Sequence, residues 1–134
     1  MSASLTPLSQ NTSSVMVVDD DPFGQDLLCC MLNAQGFNHV EVASNGRDAL
    51  RQLSDTSNPP DYLISDLFMP DVDGFELING LVAARYKGGV ILLSGVDPEM
   101  LSLASVMAQE QGLNVLGAFV KPLHAEALVK LLHH

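Results

Sequence analysis

The stretch that decides the fold is VMVVDDDP, residues 15–22. Its first four residues are apolar, and three of them are β-branched, which predicts a buried strand. Three aspartates follow without a spacer, and the order Asp21 then Pro22 is typical of a helix N-cap and the first helical position. The stretch therefore predicts a strand that leads straight into a helix, with carboxylates at the junction.

The same order of strand and helix recurs along the chain. Apolar runs suited to strands lie at Val15 to Val18, His39 to Ala43, Tyr62 to Ser65, Val90 to Leu93, and Asn114 to Val120. A stretch with helical spacing follows each run. Five alternations of apolar strand and helix predict an α/β fold, a five-stranded parallel sheet with helices on both faces, (βα)5.

Start and stop signals bound the helices. The first is predicted from Pro22 to the glycine at Gly36, and the fourth from Asp97 and Pro98 to Gly112. The others are predicted at about 45–53, 74–86 and from 123 to the end. On the first helix we expect an apolar stripe formed by Phe23, Leu27, Cys30, Met31 and Ala34.

Composition limits the classes of function. The 134 residues are 47% apolar and carry a net charge of −10, with six Lys and Arg against sixteen Asp and Glu. Six cationic side chains are too few to neutralise nucleic-acid phosphates. Direct nucleic-acid binding is therefore not expected. No apolar run approaches the ~20 residues of a membrane span, which favours a cytoplasmic protein without a membrane anchor. The adjacent Cys29 and Cys30 are expected to be reduced and structural.

Domain organisation also follows from the pattern. Residues 1–13 are mostly Ser, Thr, Gln, Asn and Pro without a hydrophobic period, which predicts a disordered N-terminal arm. Residues 14–134 are then expected to form one domain, since this length suits a single core.

Polar side chains follow four of the predicted strands. Asp19 and Asp20 follow the first strand, Asp66 the third, Ser94 closes the fourth, and Lys121 follows the fifth. In a parallel sheet these carboxyl ends meet at one edge, where such folds bind ligands. Three carboxylates brought together repel one another unless a hard cation shares them, and oxygen ligands with water suit Mg²⁺.

These residues suggest a phosphoryl-transfer chemistry. A carboxylate held beside Mg²⁺ and Lys121 stays ionised and can attack phosphorus, giving an aspartyl phosphate at Asp66. Lys121 and the Ser94 hydroxyl can then donate to the phosphoryl oxygens.

Four segments resemble the signature segments of response-regulator receiver domains: VMVVDDDPFGQDLL, LISDLFMPDVDGFELI, VILLSG and FVKP. The resemblance implies a flavodoxin-like fold in which Asp66 is the phospho-acceptor, with Ser94 as the switch hydroxyl and Lys121 as the conserved lysine. It also implies that Asp20 and Asp66 bind Mg²⁺ directly. Asp19 would act through water and Phe68 through its backbone carbonyl, and Pro122 matches the cis-peptide position.

The resemblance also implies partners. A histidine kinase or phosphotransfer protein would phosphorylate the chain, and an output domain or effector would contact the fourth helix, fifth strand and fifth helix; a homodimer is possible. The segment GVDPEMLSLASVMAQEQGLNVLGAFVKPL is similar to receivers attached to EAL-type cyclic-di-GMP phosphodiesterase domains. An alternative is a degenerate receiver that acts only as a protein-interaction module.

An aspartyl phosphatase is the enzymatic rival. Phosphatases of the haloacid dehalogenase type place the nucleophile after the first strand, whereas the candidate here follows the third, so the chain is not expected to be an enzyme.

Two features depart from the receiver pattern. Ala118 stands three residues before Lys121, where the family usually has an aromatic switch residue, and Phe119 faces the other side of its strand. The stretch from Ser94 to Lys121 is also long. Its fourth helix is apolar at Met100, Leu101, Leu103, Ala104, Val106 and Met107, more than one core stripe requires, which predicts an altered output face.

Overall fold

The structure is a computed structural model that describes residues 11–67, 73–95 and 98–132. Strands and helices alternate through these ranges. They are β1 (Asn11–Val18), α1 (Pro22–Ala34), β2 (Phe37–Ala43), α2 (Gly46–Ser54), β3 (Tyr62–Asp66), α3 (Asp73–Ala83), β4 (Gly89–Ser94), α4 (Pro98–Glu110), β5 (Asn114–Val120) and α5 (Ala125–Leu132). None of these helices is long and apolar enough to cross a lipid bilayer.

The strands form one parallel sheet in the order β2-β1-β3-β4-β5. The order reverses at β1, because the chain first adds β2 on one side of it and then β3 on the other. The carboxyl ends of β1 and β3 thus flank the switch point, which is the usual ligand position in such sheets. The predicted fold class is confirmed.

Helices cover both faces of the sheet, and each face has its own apolar cluster. Strand alternation separates the two clusters, since Met16 and Val18 of β1 point to one face and Val15 and Val17 to the other. The first cluster packs against α2, α3 and α4, and the second packs against α1 and α5. The sheet is therefore fixed from both sides.

Several predicted boundaries are confirmed within one to three residues. The Asp21 side chain accepts a hydrogen bond from the Phe23 amide at 3.1 Å, and Gly36 follows α1 with a φ of 92°. One boundary is corrected: β1 begins at Asn11, so the last three residues of the predicted arm belong to the sheet. Residues 1–10 of that arm lie outside the described residues.

The predicted apolar stripe of α1 is wrong for all but one of its residues: Met31 packs against the core, whereas Phe23, Leu27, Cys30 and Ala34 are exposed. The helix buries Leu28 and Leu32 against the sheet, while Phe23 and Leu27 are exposed to solvent. Both pairs are four residues apart, so each has helical spacing, and the sequence offers two stripes. In the structure the Leu28 side is the one that packs against the sheet.

The two cysteines lie on this helix and both are free thiols. Burial, and next the charge of Asp26, raise the pKa of the Cys29 thiol above its ordinary value. Because the thiolate is the nucleophilic form, this environment disfavours reactivity at Cys29.

Candidate metal centre

The site lies at the carboxyl edge of the sheet, where the ends of four strands meet. Asp19 follows β1, Asp66 ends β3, Ser94 ends β4 and Lys121 follows β5. Main-chain hydrogen bonds tie the edge together: the Leu67 amide donates to the Leu93 carbonyl at 2.7 Å, and the Lys121 amide donates to the Ser94 carbonyl at 2.8 Å. The sequence-predicted residues are therefore brought to one place.

Three carboxylates form the acidic part of the site. One oxygen each of Asp19, Asp20 and Asp66 lies within 4.8 Å of the others. Asp19 is 0% exposed and Asp66 is 5% exposed, whereas Asp20 faces solvent. The cluster is thus buried on one side and open to water on the other.

Lys121 connects the two buried carboxylates. Its Nζ donates to Asp66 Oδ2 at 2.8 Å and to Asp19 Oδ2 at 3.1 Å. Burial of the ammonium acts to lower the pKa of Lys121, but the hydrogen bonds to Asp66 and then to Asp19 outweigh it, so this pKa lies above its ordinary value. Lys121 is therefore a cation at neutral pH, and it partly offsets the charge of the two acids.

Asp19 is held at both its side chain and its main chain. Its Oδ1 accepts from the Asp21 amide at 2.9 Å. Its amide donates to the Ala43 carbonyl at 3.1 Å, and its carbonyl accepts from Gln25 Nε2 at 2.6 Å. Gln25 is not predictable from the sequence, since no spacing rule indicates a side chain that reaches back from α1 to the end of β1.

Ser94 is buried at the end of β4, in the strand that pairs with β3. The next residue, Gly95, has its Cα next to the Lys121 side chain, because a methyl group there would lie 3.9 Å from Lys121 Cδ. The start of the loop after β4 therefore lies against the lysine.

The expected departure in β5 is confirmed on geometry. Ala118 packs with the cluster on the α2, α3 and α4 face, and Phe119 packs with the cluster on the opposite face. The Lys121–Pro122 peptide bond is cis, as the resemblance implied. Phe68, expected to offer a backbone carbonyl, and Asp97, expected to cap α4, lie outside the described residues.

The donor set fits a hard cation. Carboxylate oxygens are the ligands that Mg²⁺ prefers, and Mg²⁺ keeps several waters, which requires an open side. The exposed Asp20 provides that side, and Asp19 and Asp66 provide the buried one. The arrangement of the three carboxylates therefore suits Mg²⁺.

Comparisons with known proteins agree with this geometry. Residues 15–133 match the response regulator receiver domain family model. A response regulator from Colwellia psychrerythraea is similar in structure, with a TM-score of 0.76, 35% identity, and coverage of 90% of this chain and 93% of that one.

Two curated relatives are longer than the region they share with this chain. The two-component response regulator ARR2 of Arabidopsis thaliana is 31% identical over 125 residues, which are 90% of this chain and 17% of that protein. An uncharacterized 14.6 kDa protein of Leptolyngbya boryana is 48% identical over 74 residues, 55% of this chain and 53% of its own. The match spans about half or less of both relatives. By its family match, its fold and its acidic site, the chain belongs to the response regulator receiver domains, signalling modules that typically have no enzymatic activity of their own.

Proposed function

We propose that this chain is a cytoplasmic phospho-acceptor switch in which Asp66 takes a phosphoryl group from a histidine kinase or phosphotransfer protein. The observation that carries the proposal is the position of Asp66. Its Oδ2 lies 2.8 Å from Lys121 Nζ, and its carboxylate belongs to the three-acid cluster at the switch point of the sheet.

The proposed reaction moves the phosphoryl group between two side chains. A carboxylate oxygen of Asp66 attacks phosphorus, a new O–P bond forms, and the P–N bond to the donor histidine breaks. The leaving imidazole takes up a proton and becomes neutral histidine. Lys121 Nζ already donates a hydrogen bond to Asp66 Oδ2 before the reaction. It is therefore placed to donate to the phosphoryl oxygens afterwards without a large reorganisation.

The metal ligands that we propose are Asp20 and Asp66 directly, Asp19 through water, and the backbone carbonyl of Phe68. Bound Mg²⁺ supplies positive charge to the phosphoryl oxygens. Asp19 suits a water-mediated role because its two oxygens already accept from the Asp21 amide and Lys121. Asp20 suits a direct role because its carboxylate is exposed at the open side.

The readout begins at Ser94. Its hydroxyl, at the end of β4, would be drawn towards the new phosphoryl group, moving the loop that leads into α4. Because the Lys121 amide bonds to the Ser94 carbonyl, the ends of β4 and β5 would move together. The signal would then reach α4, β5 and α5.

An output domain or effector would bind at α4 and its neighbours. This helix buries Leu101, Ala104 and Ala108 but exposes a second apolar row, Met100, Leu103 and Val106. Rows of exposed apolar residues are typical of interaction sites. The resemblance of 95–123 to receivers attached to EAL-type phosphodiesterase domains supports a cyclic-di-GMP phosphodiesterase as the controlled output. The same exposed row would also serve a homodimer.

Intact-mass measurement after incubation with acetyl phosphate and Mg²⁺ tests the acceptor. The native chain should gain one phosphate that is lost at alkaline pH, as an acyl phosphate is. Asp66→Asn should gain none, whereas the control Asp55→Asn, at the exposed C-cap of α2, should match the native chain. Base-labile phosphate on Asp66→Asn would contradict the assignment of the acceptor. No phosphate on the native chain would instead favour the protein-interaction module.

A further inference from the structure

Gly24, in the first turn of α1, lies directly against the carboxylate of Asp19. A methyl group at position 24 would be 2.5 Å from Asp19 Oδ2, 3.2 Å from Cγ and 3.5 Å from Oδ1. Carbon and oxygen atoms that are not bonded do not approach to 2.5 Å. The carboxylate therefore occupies the space that any side chain at position 24 would need.

The Asp19 carboxylate is held at both of its oxygens. Its Oδ1 is held by the Asp21 amide at 2.9 Å and its Oδ2 by Lys121 at 3.1 Å. The main chain of Asp19 is held by the Ala43 carbonyl and the Gln25 side chain, and the residue is 0% exposed. A side chain at position 24 would therefore break at least one of these contacts.

Glycine is an unfavourable residue within a helix, because its backbone loses more conformational freedom than that of alanine. The φ of Gly24 is not positive, so its backbone conformation does not require glycine. The close approach of Asp19 is the feature that does require it.

We infer that Gly24 is a positioning residue for the magnesium site and acts through Asp19. By lacking a side chain, it leaves room for Asp19 Oδ2 between α1 and Lys121, which also contacts Asp66. This inference rests on the proposed function, in which Asp19 orients the metal ligation. Residues that orient a metal's ligands typically change its affinity 10- to 100-fold when they are substituted.

The variant Gly24→Ala tests the inference by calorimetric titration with Mg²⁺. We expect the affinity to fall by about tenfold. Gly80→Ala is the matched control: it is also a glycine within a helix, and its methyl group would collide with the Leu50 side chain rather than with a carboxylate. Its Mg²⁺ affinity should equal that of the native chain.

A double-mutant cycle with Asp19→Ala shows whether Gly24 acts through Asp19. In the Asp19→Ala background the collision is gone, so Gly24→Ala should leave the remaining Mg²⁺ affinity unchanged. The same loss of affinity in both backgrounds, or no loss in the native one, would overturn the inference.

Thermal unfolding without metal is a second readout that does not depend on the proposed function. Gly24→Ala should lower the melting temperature in the native background and raise it in the Asp19→Ala background, where only the helix preference for alanine remains. If Gly24→Ala does not fold, Asp19→Ala should restore folding. A rise of the melting temperature in both backgrounds, or a failure of Asp19→Ala to restore folding, refutes the inference. A native chain that binds no Mg²⁺ refutes the proposed function instead, and the melting temperatures then still decide whether Gly24 makes room for the Asp19 carboxylate.

Discussion

Replacing Lys121 by methionine should destabilise the metal-free protein strongly. Methionine keeps much of the apolar stem of lysine but removes the ammonium, which donates to Asp66 Oδ2 at 2.8 Å and to Asp19 Oδ2 at 3.1 Å. Both carboxylates would remain buried but would lose the Lys121 ammonium. The variant therefore measures how much the repulsion between the two buried carboxylates lowers the free energy of unfolding.

The magnitude follows from the geometry. Two unit charges 4.8 Å apart, the upper limit for the cluster, repel by about 3.5 kcal/mol at an effective dielectric constant of about 20. Removing one partner of a buried ion pair typically costs about 3–5 kcal/mol. The Lys121 side chain is 29% exposed and so partly screened by water, which places the expected loss near the lower value, about 3 kcal/mol.

Urea unfolding followed by far-ultraviolet circular dichroism measures this loss, since the chain has no tryptophan to report by fluorescence. At neutral pH without Mg²⁺, Lys121→Met should unfold at a lower urea concentration with an unchanged slope. Lys87→Met is the control, because Lys87 is exposed and its removal should change the free energy of unfolding by less than about 1 kcal/mol.

The comparison of the two variants decides the point. A loss of unfolding free energy in Lys121→Met no larger than that in Lys87→Met would refute the reasoning.

Three further predictions concern the metal, the core and the readout. Asp20→Asn should weaken Mg²⁺ binding by about tenfold, measured by calorimetry. It should also raise the melting temperature without metal, because the repulsion between Asp20 and the other two carboxylates is relieved. An unchanged Mg²⁺ affinity would exclude Asp20 as a ligand. Tyr86→Phe loses the 2.7 Å hydrogen bond to the Pro60 carbonyl and should cost about 1 kcal/mol in urea unfolding. Burial, and to a smaller extent the charge of Asp61, hold the pKa of Tyr86 above its ordinary value. The free energy of unfolding of the native chain should therefore fall as pH rises past about 10, and that of Tyr86→Phe should fall less. An equal fall in both proteins would contradict this. Beryllofluoride with Mg²⁺ should change hydrogen exchange in 98–110, and no change there would exclude α4 from the readout.

The sequence is sufficient to predict that these polar side chains lie together at the strand ends. Asp66 and Ser94 each stand at the end of an apolar run, and parallel strands bring their carboxyl ends to one edge whatever the details of packing. Alternation of strand and helix was likewise enough to predict the sheet. These inferences need only local patterns and one rule of topology.

Contacts that depend on the angle between elements could not be predicted in this way. The hydrogen bond from Gln25 to the Asp19 carbonyl, and the approach of Asp19 to Gly24, both depend on how α1 leaves β1. The same holds for the buried face of α1, where Leu28 rather than Phe23 lies against the sheet. A periodic pattern predicts that a helix has an apolar face, but only packing selects between two such faces.

The placement of Phe119 limits how a signal can travel from the site to α4. Its ring packs on the sheet face covered by α1 and α5, and the residue on the α4 face is Ala118, which has no ring to rotate. What connects the site to β5 is instead the main chain, because the Lys121 amide donates to the Ser94 carbonyl. Lys121 also contacts Asp66, so a phosphoryl group there would act on Ser94 and Lys121 together. We therefore infer that a phosphoryl group on Asp66 would shift the ends of β4 and β5 as one unit.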